Sequence, residues 1–248
     1  MSNGTTVKKR NGRGTEPLDL EKMHRMVEEA CKGIAGVSAS QVEIQSGIQF
    51  YDGITTEEIQ EILIKSASDL IDLDHPNYQF VAARLLLFAL RKSLYGKMRE
   101  LPHLETHIYD CVNKEVYDAG LYDKYSKEDI EKANGYIDHD RDFLFTYAGL
   151  RQVVDKYLVQ DRSTNKVYET PQQMYMMIAL TIFAEYPKEK RLNYVKRYYD
   201  AISKHKLNIP TPIMAGVRSP IRQFASCVLV DIDAVSYTHL TLPTTPYV

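Results

Sequence analysis

The sequence has 248 residues, of which 44% are hydrophobic and 26% charged, a composition typical of a globular protein that excludes disordered and collagen-like chains. With 31 Lys and Arg against 33 Asp and Glu, the formal net charge is −2, so any site for a polyanion must be local rather than a property of the whole surface. The longest apolar stretch, Val81 to Leu90, is interrupted by Arg84. It is too short to cross a bilayer, and we expect neither membrane insertion nor general nucleic-acid binding.

The three cysteines, Cys31, Cys111 and Cys227, are scattered singly along the chain. This spacing predicts neither a disulfide framework nor a zinc site, and it favours a reducing cytoplasm. An isolated cysteine is more often a buried structural residue than a reactive thiol, so a chemical role for any of them needs further support.

The first elements predicted are a hairpin and a helix. Residues 5 to 18 contain the turn-formers Asn11, Gly12 and Gly14 between two short extended runs, which predicts a β-hairpin. Asp19 can cap the next segment, where apolar residues recur at helical spacing until Gly33 and Gly36. The stripe comprises Leu20, Met23, Val27, Cys31 and Ile34, so we expect Cys31 to be in the core.

Three further helices complete a first compact unit that we expect to end near Gly96. One is predicted over Ser40 to Phe50, and the next begins where Thr55 precedes Glu58 at the spacing of a capping box. The third, Tyr78 to Leu94, is apolar nearly all round, as is typical of the central helix of a small bundle.

The second half of the chain is predicted to begin with helices, and the spacing of its apolar residues changes beyond Pro210. Short helical patterns alternate with polar breaks from His103 to Tyr136, and residues 157 to 169 predict a second hairpin that turns at Ser163 to Lys166. Helices are predicted over Pro171 to Tyr186 and Lys188 to Lys204. Beyond Pro210, the runs Ile213 to Val217 and Phe224 to Ile232 are short and apolar, and they predict strands of a buried sheet.

The last residues, 235 to 248, predict neither a helix nor a convincing strand. A chain that begins a buried sheet and then stops lacks the strands to pair with it. We therefore expect a truncated fragment with a non-native tail.

Long strings of the sequence closely resemble one family, the large (alpha) subunit of class I ribonucleoside-diphosphate reductase, from about Val7 to Ile232. The strings that carry the resemblance are VKKRNG, SQVEIQSGIQFYDGITTEEIQE, AARLLLFALRK, GYIDHDRDFLFTYAGL, KYLVQDR, YPKEKRLNYVKRYYDA and IPTPIMAGVRSPIRQFASCVLVDI. The resemblance implies a mainly α chain. Its parts would be an ATP cone over residues 5–97, built as a helical bundle with a β-hairpin cap, a helical region over 98–205, the first strands of a truncated α/β barrel over 206–234, and the tail.

In that family the cone binds ATP as activator or dATP as inhibitor. Position by position, the resemblance places nucleotide contacts on ten residues. They are Lys9, Glu16, Pro17, Leu18, Asp19, Leu20, Glu21, Lys22, Thr56 and Lys92. The chemistry agrees for Lys9 and Lys92, which could pair with phosphates, and for Thr56 in the first turn of a helix, where backbone N–H groups attract anions. The alternative is that these lysines are ordinary solvated surface charges.

The resemblance also implies a catalytic site in the second half. Thr211 and Ser226 match substrate-binding residues, and Cys227 matches one of two cysteines that reduce the ribose and form a disulfide in each turnover. The family's remaining catalytic cysteines would lie beyond this sequence, so we expect the chain to sense nucleotide without turning over substrate.

The resemblance implies cofactors and partners as well. The effectors would be bound with Mg²⁺, and this subunit would carry no metal cofactor of its own. The expected partners are ribonucleoside diphosphates, a second large subunit, the small (beta) subunit with its diiron-tyrosyl radical centre, and thioredoxin or glutaredoxin.

Two polar features have plainer interpretations. The run Asp138, His139, Asp140, Arg141 and Asp142 contains metal-ligating residue types, but consecutive residues do not converge on one ion, so we expect ion pairs and caps organised by Arg141. We expect His24 to be a helix-surface or packing residue rather than a ligand.

Two other functions remain open from the sequence alone. A stand-alone nucleotide-sensing regulator could also use an ATP cone, although the four-cysteine zinc ribbon of the known repressor is not visible here. The other alternative is a helical interaction module that binds no ligand. In such a module Lys9, Thr56 and Lys92 would have no common binding role.

Overall fold

The computed structural model describes residues 5–9, 14–47, 49–161, 163–221, 224–225 and 227. Its first part is a helical bundle with a small sheet at one end. The elements, in chain order, are strands β1 (Thr6–Lys8) and β2 (Thr15–Pro17), helices α1 (Leu20–Cys31) and α2 (Ala39–Gly47), strand β3 (Ile54–Thr55), and helices α3 (Thr56–Asp69) and α4 (Tyr78–Tyr95).

The small sheet has the order β2-β1-β3. Strands β1 and β2 are antiparallel with Val7 opposite Glu16, which confirms the predicted hairpin, although its predicted turn at residues 10–13 lies outside the described residues. Strand β3 pairs with β1 in parallel and leads directly into α3. The sheet thereby holds the starts of α1 and α3 at the same end of the bundle.

Capping side chains begin α1 and α3 where the sequence predicts. An oxygen of Asp19 accepts a hydrogen bond from the backbone N–H of Lys22 at 3.1 Å. At α3, Thr55 and Glu58 form both halves of a capping box. Such caps satisfy N–H groups that have no partner inside the helix, so they fix where the helix begins.

Helix α4 is the centre of the molecule. Val81 and Leu87 are fully buried, and the helix packs against α1, α3 and the later helix Tyr147–Gln152. Gly96 ends it in the left-handed conformation, at φ 72°, which glycine adopts without the strain that a side chain would add.

The second part of the chain is a set of short helices around two long ones. The elements, in chain order, are α5 (Leu104–Asn113), a 3₁₀ helix (Ala119–Lys124), α6 (Lys127–Asn134), a 3₁₀ helix (His139–Leu144), α7 (Tyr147–Gln152), a π-helical turn (Val153–Tyr157), β4 (Gln160–Asp161), β5 (Lys166–Val167), α8 (Pro171–Ile182), α9 (Lys188–Ser203) and α10 (Thr211–Gly216). Strands β4 and β5 are antiparallel, which confirms the second hairpin.

The strand predicted at Ile213 to Val217 is wrong. These residues belong to α10 and its C-terminal cap, and the N–H of Met214 donates to the carbonyl of Pro210 at 3.2 Å. Pro212 lies in the first turn of the helix, where its missing N–H costs nothing and its fixed φ favours the helix. The predicted strand Phe224 to Ile232 falls mostly outside the described residues, and the three described ones are not in a strand.

The sequence also predicts a core position for Cys31, a non-native tail and no membrane insertion. Cys31 is only partly buried, at the edge of the core. The tail at 235–248 lies outside the described residues. Within the described part of the chain, no helix combines the length and apolarity that would be needed to cross a membrane.

Candidate functional site

One cavity lies where the small sheet meets the starts of α1 and α3. Of the ten predicted nucleotide contacts, seven line it, namely Glu16, Pro17, Leu18, Asp19, Lys22, Thr56 and Lys92. Residues separated by up to 76 positions in sequence, from Glu16 to Lys92, thus surround one volume of about 140 Å³.

The other three predicted contacts lie outside the cavity wall. Lys9 forms an ion pair with Glu16 at 2.5 Å, which places its ammonium beside the cavity. Leu20 is 45% exposed, and Glu21 is an exposed residue of the first turn of α1. The binding roles of all ten residues remain predictions, and those of Leu20 and Glu21 have the least geometric support.

Two helix N-termini meet at this cavity. Asp19 and Lys22 belong to the cap and first turn of α1, and Thr56 is the first residue of α3. A helix N-terminus carries a partial positive charge and N–H groups without partners inside the helix, so it favours an anion. Lys22 and Lys92 add full positive charges to the same wall.

The carboxylates of the cavity are already engaged with cations or backbone. The hydrogen bond from Lys9 lowers the pKa of Glu16, and the backbone N–H of Lys22 lowers the pKa of Asp19. Both groups are therefore ionised at neutral pH. They hold Lys9 and Lys22 in place, with Lys22 Nζ 3.3 Å from Asp19 Oδ2, and repel any anion that approaches them directly.

The floor of the cavity is apolar and includes residues that sequence reasoning missed. Val7, Met23, Met26 and Ile59 line it, together with Gln60. Met23 and Ile59 belong to the buried stripes of α1 and α3, so the helical periodicity could have indicated that they adjoin the site. Such a floor suits an aromatic ring, and the charged rim suits phosphates.

Thr211, the predicted substrate contact, lies in a second cavity at the start of α10. Its hydroxyl is 3.3 Å from the hydroxyl of Tyr157, and the cavity of about 570 Å³ is also lined by Phe145, Tyr175 and His205. Cys227 is exposed, and Ser226 lies outside the described residues. The substrate-binding roles of Thr211 and Ser226 and the catalytic role of Cys227 therefore remain predictions.

The polar run 138–142 forms ion pairs as predicted, but with two organising arginines. Arg141 pairs with Asp138 at 3.2 Å and with Asp200 at 2.7 Å, whereas the buried Asp142 pairs with Arg91 of α4 at 2.8 Å. No group of three potential metal ligands occurs among the described residues. His24 bonds to Glu43 at 2.7 Å on the surface of α1, consistent with the predicted surface role.

Comparisons with known proteins agree with this division of the chain. Residues 5–93 match the family model described as the ATP cone domain, and residues 143–222 match that of the ribonucleotide reductase all-alpha domain. The chain is 49% identical over 233 residues to the ribonucleoside-diphosphate reductase subunit alpha of Haemophilus influenzae, covering 94% of this chain and 31% of that protein.

Two further relatives show how widely the likeness extends. The chain is 48% identical over 242 residues to the Escherichia coli ribonucleoside-diphosphate reductase 1 subunit alpha, covering 96% of this chain and 32% of that protein. It is 42% identical over 219 residues to the subunit alpha of the phage T4 enzyme, covering 88% of this chain and 28% of that protein. The chain thus spans about a third of the length of these relatives.

Proposed function

This chain belongs to the family of ribonucleoside-diphosphate reductase alpha subunits, and from that premise we propose that residues 5–97 bind ATP and dATP as allosteric effectors. The observation that carries the proposal is the cavity where α1 and α3 begin, because two helix N-termini and two lysines adjoin an apolar floor there. The ATP cone match covers residues 5–93 of this range.

The triphosphate would lie at the charged rim of the cavity, and the base would lie at its apolar floor. Lys9, Lys22 and Lys92 supply positive charge for the triphosphate, and the first turn of α3 at Thr56 supplies the partial charge of a helix terminus. Glu16 and Asp19 act indirectly, by holding Lys9 and Lys22, or accept hydrogen bonds from the ribose. The base packs against the apolar floor.

Mg²⁺ would enter with the nucleotide, and the phosphate groups rather than the cavity wall would supply most of its ligands. The donor set of the cavity fits this arrangement, because its two carboxylates are paired with lysines and the described residues contain no group of three potential metal ligands. Mg²⁺ in nucleotide sites commonly keeps several waters and few protein ligands.

The whole protein's activity is the second part of the proposal. Together with the rest of its length, the chain would reduce ribonucleoside diphosphates, with Cys227 as one redox-active thiol and Thr211 and Ser226 at the substrate. The small subunit with its diiron-tyrosyl radical, a second large subunit, and thioredoxin or glutaredoxin would be its partners in the cytoplasm. The all-alpha match at residues 143–222 favours an enzyme subunit over a stand-alone nucleotide-sensing regulator.

Calorimetry on the 248-residue chain tests the effector site. Titration with MgATP and MgdATP should show binding, and Lys9→Ala, Thr56→Ala or Lys92→Ala should weaken it. Loss of a charged phosphate contact costs about 1.5 to 3 kcal/mol, which is roughly ten- to hundredfold in affinity. Lys97→Ala is the matched control, because Lys97 pairs with Glu100 outside the cavity. Unchanged affinity in all three cavity variants would refute the site.

Turnover by the full-length protein tests the role of Cys227. Cys227→Ser should abolish deoxyribonucleotide formation and leave MgATP affinity unchanged, because serine has a similar volume but cannot take part in disulfide chemistry. Residual turnover near the unmodified rate would show that Cys227 is not a redox thiol of this protein.

A further inference from the structure

A second polar cavity lies on another side of α4, away from the nucleotide site. It occupies about 370 Å³ between the end of α1, helix α4 and the 3₁₀ helix His139–Leu144. Arg91 lines this cavity and its neighbour Lys92 lines the nucleotide cavity. Successive helical residues point about 100° apart, so α4 separates the two cavities.

Positive charge predominates in the wall of this cavity. Four basic residues line it against two acidic ones, Glu29 and Asp140. Glu29 already pairs with Arg99 and lies 4.0 Å from Lys32. Arg91 pairs with the buried Asp142 at 2.8 Å.

Arg84 is the basic residue of this wall for which the described residues provide no carboxylate partner. Its Nη1 donates to the carbonyls of Ala30 at 3.2 Å and Lys32 at 2.6 Å, at the C-terminal end of α1. These contacts fix the guanidinium in position without neutralising its charge. Burial lowers the pKa of Arg84, and the nearby Cys31 and Glu29 only partly oppose that shift.

Three buried nitrogen atoms around this cavity have no hydrogen-bond partner among the described residues: Nε of Arg84, Nε of Arg91 and Nδ1 of His139. The side chain of Arg91 is only 3% exposed. Leaving one buried polar group unsatisfied costs on the order of 1 to 3 kcal/mol, so an acceptor that reached one of these enclosed nitrogens would stabilise the fold.

The guanidinium groups are also pre-oriented. The ring of Phe143 lies beside both, with its centroid 5.2 Å from Cζ of Arg84 and 5.7 Å from Cζ of Arg91. Arg91 Nη2 is held by the carbonyl of His139 at 2.7 Å. Cation–π contacts and backbone hydrogen bonds fix the arginines before a ligand arrives, which reduces the entropy lost on binding.

We propose that this cavity binds a phosphoryl group, either inorganic phosphate or a phosphate ester, through Arg84, Arg91 and His139. A phosphoryl group offers at least three acceptor oxygens to several converging donors, whereas a carboxylate offers two. His139, whose pKa is lowered to about 4 by burial and by Arg91, is neutral at pH 7 and can donate or accept at Nδ1. The bound ligand would connect the nucleotide-binding bundle with the helical region, independently of the effector site.

Two-dimensional NMR and calorimetry on the 248-residue chain test this site. Titration with inorganic phosphate and with methyl phosphate should shift the ring signals of His139 and leave those of the distant His24 unchanged. It should also raise the pKa of His139, because a bound anion favours its protonated form. Arg84→Gln should weaken binding at least about tenfold, since glutamine retains a donor for the α1 carbonyls but loses the charge. Arg84→Lys should retain part of the affinity.

Lys97→Gln is the matched control, because Lys97 pairs with Glu100 and lines neither cavity, so phosphate binding here should be unchanged. Binding of both ligands would identify the phosphoryl group alone as sufficient, and binding of methyl phosphate alone would identify an ester. The proposal is overturned if neither ligand moves the His139 signals, or if Arg84→Gln binds like the unmodified chain. If Arg84→Gln fails to fold, the His139 signals of the unmodified chain decide the question.

Discussion

The cavity of the N-terminal bundle and the interior of the helical region use charged residues in opposite ways. Around the cavity where α1 and α3 begin, charges lie at the surface, as in the Lys9–Glu16 pair, whose side chains are 41% and 35% exposed. In the helical region, Arg218 and Glu169 form a pair in which both side chains are fully buried. Exposed charges remain available to a ligand, whereas a buried pair whose hydrogen bonds are all made does not.

The Arg218–Glu169 pair belongs to a hydrogen-bond network in which each side chain has several partners. Arg218 donates to both oxygens of Glu169 and to the carbonyl of Tyr157 at 2.9 Å. Glu169 also accepts from the N–H of Val159 at 2.6 Å and from the hydroxyl of Tyr117 at 2.5 Å. The network connects the segment after α10 to the second hairpin, and it leaves neither charge available to a ligand.

The sharpest test of this contrast removes one buried charge. Glu169→Gln keeps the shape of the side chain but leaves Arg218 without a counter-ion in the interior, which should cost about 3 to 5 kcal/mol of stability. Urea unfolding followed by circular dichroism measures the loss.

Glu100→Gln serves as the matched control, because it breaks the exposed pair with Lys97, in which both side chains are more than half exposed. Its unfolding midpoint should match that of the unmodified chain, since exposed pairs contribute little. If the two variants lost equal stability, burial would not be what distinguishes the two parts of the molecule.

Local signals in the sequence predicted where the helices begin. The Asp19 cap and the Thr55–Glu58 box act within three residues along the chain, so their chemistry can be read without the fold. The same reasoning failed at Ile213 to Val217, because β-branched residues suggested a strand while Pro210 and Pro212 set up a helix N-terminus. Helix termini depend on such local geometry more than on the preference of single apolar residues.

The long-range polar contacts could not be predicted from residue patterns. Arg218 and Glu169 are 49 positions apart, and Arg91 and Asp142 are 51 apart. Periodicity indicates which face of a helix is buried, but it does not indicate which charged residue on another helix will face it. Ten nucleotide contacts were predicted through the family resemblance, whereas the apolar residues beside them and the cavity at Arg84 emerge only from the packing of α1, α3 and α4.

Histidines give the two parts opposite responses to mild acid, and this provides the second test. In the helical region, burial lowers the pKa of His107 to about 4, and its ring bonds to the Tyr117 hydroxyl at 3.0 Å. In the N-terminal bundle, Glu43 and then Glu28 raise the pKa of His24. As pH falls from about 6.5 towards 4, the imidazole of His107 becomes protonated in the unfolded chain but stays neutral in the folded one. His107 therefore destabilises the fold in this pH range. The contribution of His24 to the free energy of unfolding has the opposite sign. It is retained at low pH and lost as pH rises through the pKa of His24 in the folded chain.

Hydrogen exchange measured at pH 7 and pH 5, corrected for intrinsic rates, should separate the two responses. Helix α5, which carries His107, should lose protection equivalent to about 2 kcal/mol at pH 5, since each unit of pKa difference corresponds to about 1.4 kcal/mol. Helix α1, which carries His24, should keep or gain protection, because the contribution of His24 grows as pH falls. His107→Gln retains a donor for Tyr117 without the titration, so its α5 should respond less to acid than that of the unmodified chain. Glu169 and Asp110 raise the pKa of His107, whereas Lys114 and Arg218 lower it. If the acid response of α5 survived in His107→Gln, it would have to arise from those neighbours rather than from the buried imidazole.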